Sequence, residues 1–192
     1  VVPTLKQIEE AYRGKVRFVF KHNPLPFHAK ALPAAIATEE ARAQGGDAKF
    51  WALHDALFAA PSVDPAAIEK AAADAGLDPA KVRGAIAASR YKDRIERDQK
   101  LVQSVGAPAT PSFFVHRRKL AGAQPFEAFR AVIDEELRKA EALVAAGTPA
   151  AQVYAKIMER AASAPVYLPG SAQPPAEPGA PCTVSYVMNL LQ

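Results

Sequence analysis

Cysteine is almost missing from this chain: Cys182 is alone among 192 residues. One thiol closes no internal disulfide, and it supplies neither the pair a redox motif uses nor a cysteine-rich zinc site. With Pro181 and Thr183 as its flanks and no base beside it, Cys182 reads as a passive or regulatory thiol; a nucleophile or an intermolecular disulfide partner is the alternative. Long apolar runs are missing too, since none approaches the roughly 18 residues a membrane span needs. Strong charge of one sign is also lacking. The net charge is +4, and Lys92, Asp93, Arg94, Glu96, Arg97 and Asp98 alternate in sign as on a solvated helix face. The one compact basic cluster, Arg117, Arg118 and Lys119, has no aromatic interleaving and reads as a solubilising turn, with an anion or nucleic-acid contact as the weaker reading. No phosphate-binding glycine loop, distinguishable acid/base carboxylate pair or zinc-site histidine spacing is present. The first residue is Val1, not methionine; this looks like a processed or cut start, and the missing targeting segment then carries no information.

What is there is a globular composition, 49% apolar, with 17 prolines that crowd toward the C-terminus. The spacing predicts a helix over Pro3–Tyr12, with Leu5, Ile8 and Tyr12 inward, and a strand over Val16–Phe20 that is apolar on both sides. His22–His28 follows as a proline-stiffened loop. A helical block comes next: one run from near His28 to Gly45-Gly46, another over Ala48–Ala60, short helices opened by Asp64-Pro65 and Asp78-Pro79, and a last one over Tyr91–Ser104 with Ile95, Leu101, Val102 and Val105 inward. Strand returns only after Pro111, where Ser112–Val115 and a second short apolar piece form a hairpin. No glycine lies in its turn, so a longer or less regular connection is expected. Gln124-Pro125 opens a helix carrying Phe126, Phe129, Val132, Ile133 and Leu137, and Thr148-Pro149 a shorter one in which Val153 and Ile157 can dock.

Individual polar residues read blandly at this level. His22 and His28 are assigned solvent or structural roles, His54 a buried or boundary place in the aromatic stripe of Phe50, Trp51 and Phe58, and His116 an ordinary surface position. Thr110 precedes a proline, which pushes it into an extended conformation at the strand's entrance.

Four stretches together resemble the DsbA-like branch of the thioredoxin superfamily, the bacterial extracytoplasmic thiol-disulfide oxidoreductases. They are VVPTLKQIEEAYRGKVRFVFKHNPLPFHAKA, FWALHDALF, VGAPATPSFFV and GAQPFEAFRAVIDEEL, and the resemblance covers Val1 to about Arg160. It implies an α/β fold: a thioredoxin-like mixed sheet with an all-helical insertion. It also implies that Thr110 and Pro111 form the substrate-facing cis-proline pair, and that a Cys-x-x-Cys lies upstream of Val1, leaving no catalytic residue within the 192. The chemistry it implies is exchange with protein or peptide thiols and disulfides, without cofactor, metal or nucleic acid, aided by a redox-regenerating partner in the bacterial periplasm or envelope.

The family's first central strand is absent from this order of elements. Three sources can fill its lane: residues upstream of Val1, a strand from another chain, or Thr183–Met188; the first is expected. The third would bring Cys182 to the sheet, at the end expected to lie away from the catalytic position. The expected layout is a thioredoxin-like domain over 1–162 with its insertion at about 28–104, a Pro/Gly-rich linker over 163–181 and an apolar segment over 182–192. Two functions other than disulfide exchange are compatible: a redox-inactive peptide-binding module and glutathione-linked chemistry.

Overall fold

The computed structural model describes residues 1–116, 118–159, 166–167 and 184–190. They form helices α1 (Val2–Ala11), α2 (Ala31–Ala59), α3 (Pro65–Asp74), α4 (Pro79–Ala87), α5 (Lys92–Ser104), α6 (Phe126–Ala145) and α7 (Ala150–Met158). The strands are β1 (Val16–His22), β2 (Ser112–Val115), β3 (Arg118–Ala121), β4 (Val166–Tyr167) and β5 (Val184–Leu190). The described residues fall into two compact units: His22–Leu101 makes the helical one, and Val1–Lys21 joins the described residues from Val102 onward in the one that holds the sheet.

In the sheet unit the strand order is β1-β5-β2-β3-β4. β2 pairs antiparallel with β3 and parallel with β5, and β3 pairs parallel with β4, so the sheet is mixed as expected. Among the described residues the central lane between β1 and β2 is filled by β5, the C-terminal segment, the third of the sources that the sequence offers. β5 and β4 also carry the sheet past residue 162, and β4 lies inside the stretch expected to be a linker.

All four residues of β2 are buried, which explains its unbroken Ser-Phe-Phe-Val run. Phe113 meets Phe129 of α6 edge-to-face at 4.9 Å, and α6 presents Phe129, Val132, Ile133 and Leu137 as one buried stripe. α6 packs against α1 and α7, where Ile8 and Val153 are fully buried. Tyr12 Oη donates to Asp134 Oδ1 (2.6 Å). Burial and this acidic partner both disfavour the phenolate, and the Tyr12 pKa is pushed up.

The helical unit follows its local signals. Asp64 Oδ1 accepts from Ala67 N (2.9 Å) and Asp78 Oδ1 from Ala80 N (2.9 Å), each capping a helix that opens with proline. α2 runs through the expected break, but Gly46 takes φ +72° and ψ −164°, so the chain kinks there between two helical halves. Ala37, Ala41, Leu53, Ile68, Ala72 and Val82 form the main core of this unit, where alanines allow α2, α3 and α4 to approach closely. In α5, Ile95 and Val102 are buried as expected, whereas Leu101 is 46% exposed.

Removing a cap leaves a first-turn N–H without its partner, so Asp64→Ala and Asp78→Ala are each expected to lower stability by about 1 kcal/mol. Phe129→Ala, which empties the contact with Phe113, is expected to cost about 3–5 kcal/mol. Urea denaturation of the three variants checks both magnitudes.

Candidate functional site at the entrance of strand β2

The loop between α5 and β2 is held at several points. Gly106 ends α5 with φ +69°, its N–H donating to Gln103 O (3.0 Å), while Ala107 N donates to Val102 O (3.0 Å). Lys119 Nζ of β3 donates to Gly106 O. Ser112 Oγ donates to Ala109 O (2.6 Å), and Gly122 N to Pro111 O (2.9 Å). These bonds fix the main chain on both sides of Thr110-Pro111, and the peptide bond between those two residues is cis.

The Thr110 Oγ1 is buried and makes no hydrogen bond among the described residues. A buried hydroxyl in that state costs on the order of 1–3 kcal/mol, an amount that a peptide N–H or C=O brought to it would recover. Thr110 and Pro111, the two site residues expected from the sequence, therefore stand at the mouth of β2 on a loop whose main chain is already fixed. The start of β5 comes to the same end of the sheet, because Ser185 is level with Ser112 in a parallel pair. This corrects the expected orientation, in which the beginning of that strand lay away from the catalytic position. Cys182 itself lies outside the described residues.

The hairpin departs from expectation. Val115 pairs with Arg118, so the connection is short, and His116 adopts φ +52° in the absence of glycine. His116 is 4% exposed and not a surface residue: its Nδ1 lies 3.1 Å from Glu136 Oε2. Lys119 is 6% exposed, and Arg118 pairs with Glu135 and Glu136. The described part of the basic cluster thus ties the hairpin to α6 and to the site loop. Lys139 Nζ closes the set, 2.7 Å from Glu135 Oε1 and 2.8 Å from Glu136 Oε1.

A second buried ion cluster, in the helical unit, was not anticipated. His22 Nε2 lies 2.9 Å from Glu39 Oε1, and the other oxygen of Glu39 faces Arg94 (3.1 Å) and Arg42 (3.8 Å). Glu39 Oε2 lacks a well-directed hydrogen bond and is compensated by charge. The Arg42 guanidinium also lies 4.1 Å from the Phe50 ring centre. The only hint in the sequence was Glu39-Glu40 inside an alanine-rich run. His54 is buried in the aromatic stripe as expected, with Nδ1 2.8 Å from Asp55 Oδ1. No group of three or more potential metal ligands occurs among the described residues.

Burial opposes ionisation of Glu39 and Glu136. For Glu39 the hydrogen bond and charge of His22, with Arg94 and Arg42, outweigh it; for Glu136 Lys139 and His116 do so. Both pKa values fall below the usual carboxylate range. Hydrogen bonds from Lys139 and Arg118 lower that of Glu135 to about 2. The unfolded chain binds protons at these carboxylates more readily than the folded one. Their contribution to stability is therefore complete above the unfolded value of about 4.5 and is lost as pH falls toward about 2. Thermal unfolding across that window is expected to show a falling Tm, with a shallower fall in Glu136→Gln; an equal slope in both chains would contradict the assignment.

A thioredoxin family profile, described as Thioredoxin, matches residues 2–135, most of the chain and all of the site. Among curated proteins, the chain is 33% identical over 133 residues to Na(+)/H(+) antiporter NhaA 3 of Salinispora tropica, covering 68% of this chain and 20% of that protein. It is 32% identical over 124 residues to Na(+)/H(+) antiporter NhaA of Herminiimonas arsenicoxydans, covering 64% and 19%. It is also 34% identical over 120 residues to Na(+)/H(+) antiporter NhaA 1 of Salinispora arenicola, covering 62% and 18%. The chain thus spans about a fifth of the length of the curated relatives it matches. No helix among the described residues is long and apolar enough to cross a membrane. No solved structure matches the chain. With the profile covering α1, the helical block, the cis-proline loop and the hairpin, this chain belongs to the thioredoxin family.

Proposed function

We propose that this domain works in a DsbA-like thiol-disulfide oxidoreductase, holding a substrate peptide at Thr110 and Pro111 while two cysteines on residues preceding Val1 perform the exchange. The observation that carries this reading is the buried, unpartnered Thr110 hydroxyl at the mouth of β2, in a chain that belongs to the thioredoxin family. An extended peptide laid beside that loop gains main-chain hydrogen bonds without the loop having to reorganise.

The chemistry is thiol-disulfide exchange. One cysteine thiolate attacks a substrate disulfide sulfur, an S–S bond forms to the enzyme, and the other substrate sulfur leaves as a thiolate that takes a proton. The second enzyme thiol, once deprotonated, attacks the mixed disulfide. The substrate leaves as a dithiol and the enzyme keeps the disulfide, so two electrons have passed to the substrate. The reverse sequence oxidises a dithiol, and in either direction a redox partner regenerates the starting state.

The relatives' names support a place in the bacterial envelope, since proteins named as Na(+)/H(+) antiporters share this stretch of sequence. The same loop with its unpartnered hydroxyl also suits a second reading, a redox-inactive peptide-binding module.

Two measurements test the proposal. The 192-residue chain is expected to show no disulfide turnover, whereas the parent protein with its preceding residues reduces or oxidises a model peptide disulfide; an inactive parent that still binds peptide supports the second reading. Thr110→Val, nearly equal in volume, is expected to weaken peptide binding by about tenfold, the equivalent of one buried hydrogen bond of roughly 1.4 kcal/mol, while Tm of the free protein rises because the unsatisfied hydroxyl is gone. Unchanged peptide affinity in that variant would remove Thr110 from the site.

A further inference from the structure

Strand β3 and the residue that follows it hold the loop carrying Thr110 and Pro111 from both sides. Downstream of Thr110, Gly122 N donates to Pro111 O (2.9 Å). Upstream, the Lys119 side chain donates through Nζ to Gly106 O. Only Ala107, Pro108, Ala109 and Thr110 lie between these two fixed carbonyls.

The register explains how a strand residue reaches that far. Lys119 is directly opposite Phe114, so the two side chains share one face of the sheet. Phe114 packs with Val102 and Ala107, and Val105 lies against the same cluster. The end of α5 is thereby brought over Phe114, which stands three residues beyond Pro111, about 10 Å along β2 from its entrance. Residues 107–110 lead back from there to the mouth of the strand.

A lysine is costly at this place. It is 6% exposed beside an apolar cluster, where an aliphatic side chain would pack without ordering a long stem or taking an ammonium group from water. What an aliphatic side chain cannot do is donate to Gly106. With φ +69°, Gly106 turns the chain out of α5, and its carbonyl takes a partner from β3 instead of from the helix ladder.

We propose that Lys119 is a positioning residue for the peptide-binding site: by holding Gly106 it sets the path of residues 107–110, and so keeps the Thr110 hydroxyl at a fixed place on the mouth of β2. The inference rests on the reading of Thr110 and Pro111 as peptide-binding. Lys119 acts through the loop and not on the peptide, by removing an ordering cost that binding would otherwise carry.

Three substitutions in the parent protein test this role. Lys119→Met keeps the bulk of the stem and loses the donor, Lys119→Gln keeps a donor too short to reach Gly106, and Lys119→Arg keeps one that reaches. Amide hydrogen exchange at Gly106 and Ala107, whose N–H groups bond to Gln103 O and Val102 O, reads the order of the loop. Titration with a model peptide carrying serine in place of cysteine reads affinity without turnover. In the Met and Gln variants exchange is expected to be about tenfold faster and affinity about tenfold weaker, the loss of one hydrogen bond, and Lys119→Arg is expected to restore both. Asp64→Ala, which lowers stability from the helical unit, is expected to leave affinity unchanged.

Unchanged exchange at Gly106 and Ala107 in the Met and Gln variants overturns the proposal. So does an Arg variant that behaves like the Met variant, or an Asp64→Ala chain that loses affinity to the same extent. If Thr110→Val weakens binding while Lys119→Met and Lys119→Gln do not, Lys119 alone loses its role. If none of the three does, the peptide-binding reading itself falls and the role of Lys119 with it.

Discussion

The need of β2 for a hydrogen-bonded neighbour on each side organises the sheet unit. Its four residues are buried, and its main-chain groups have no water to turn to. β3 serves one side through a tight antiparallel hairpin and β5 the other through a parallel pairing. Phe113 can then be spent on α6, through its contact with Phe129, because the ladder leaves the strand's faces free for packing. The proposed peptide-binding loop owes its fixed main chain to the same arrangement: Ser112 and Pro111, at the strand's entrance, bond to Ala109 and Gly122.

Charge is buried in both units, and each time it is paired. Glu136 is reached from β3, from the hairpin turn and from its own helix, so one carboxylate joins Arg118, His116 and Lys139 and fastens the hairpin to the helix that follows it. Lys119 extends that link to the carbonyl of Gly106. The strength of such a pair as a stabiliser is limited by desolvation, but losing one partner strands the other, so these contacts specify where the hairpin lies more than they add to the folding energy. In the helical unit Glu39 is surrounded in the same way by His22, Arg94 and Arg42.

Much of the fold was legible before any coordinates. Asp64-Pro65 and Asp78-Pro79 act within one helical turn, so their caps follow from four consecutive residues. The α6 stripe is periodic over several turns and needs no partner to be read. The site was legible in part: Thr110 and Pro111 could be placed at a strand's entrance from the proline alone, but the unpartnered hydroxyl depends on what surrounds it. His116 and Lys119 were misread because polarity argues for the surface, whereas Glu136 and the Gly106 carbonyl, each brought from elsewhere in the chain, make burial tolerable. Leu101 was misread in the opposite sense, since an apolar residue on a short amphipathic helix can fall just outside its buried stripe.

The helices, their starts and the hairpin strands could be read from the residues alone, because these are encoded in periodicity and in backbone restrictions that act over a few residues. Which segment fills the central lane, which way it runs, and which charges meet in the interior came only with the folded arrangement, as did the short strand β4. A lane asks only for a strand of suitable apolar pattern, and a buried carboxylate only for a cation, so several distant segments satisfy each requirement equally well on paper. Packing in three dimensions selects among them.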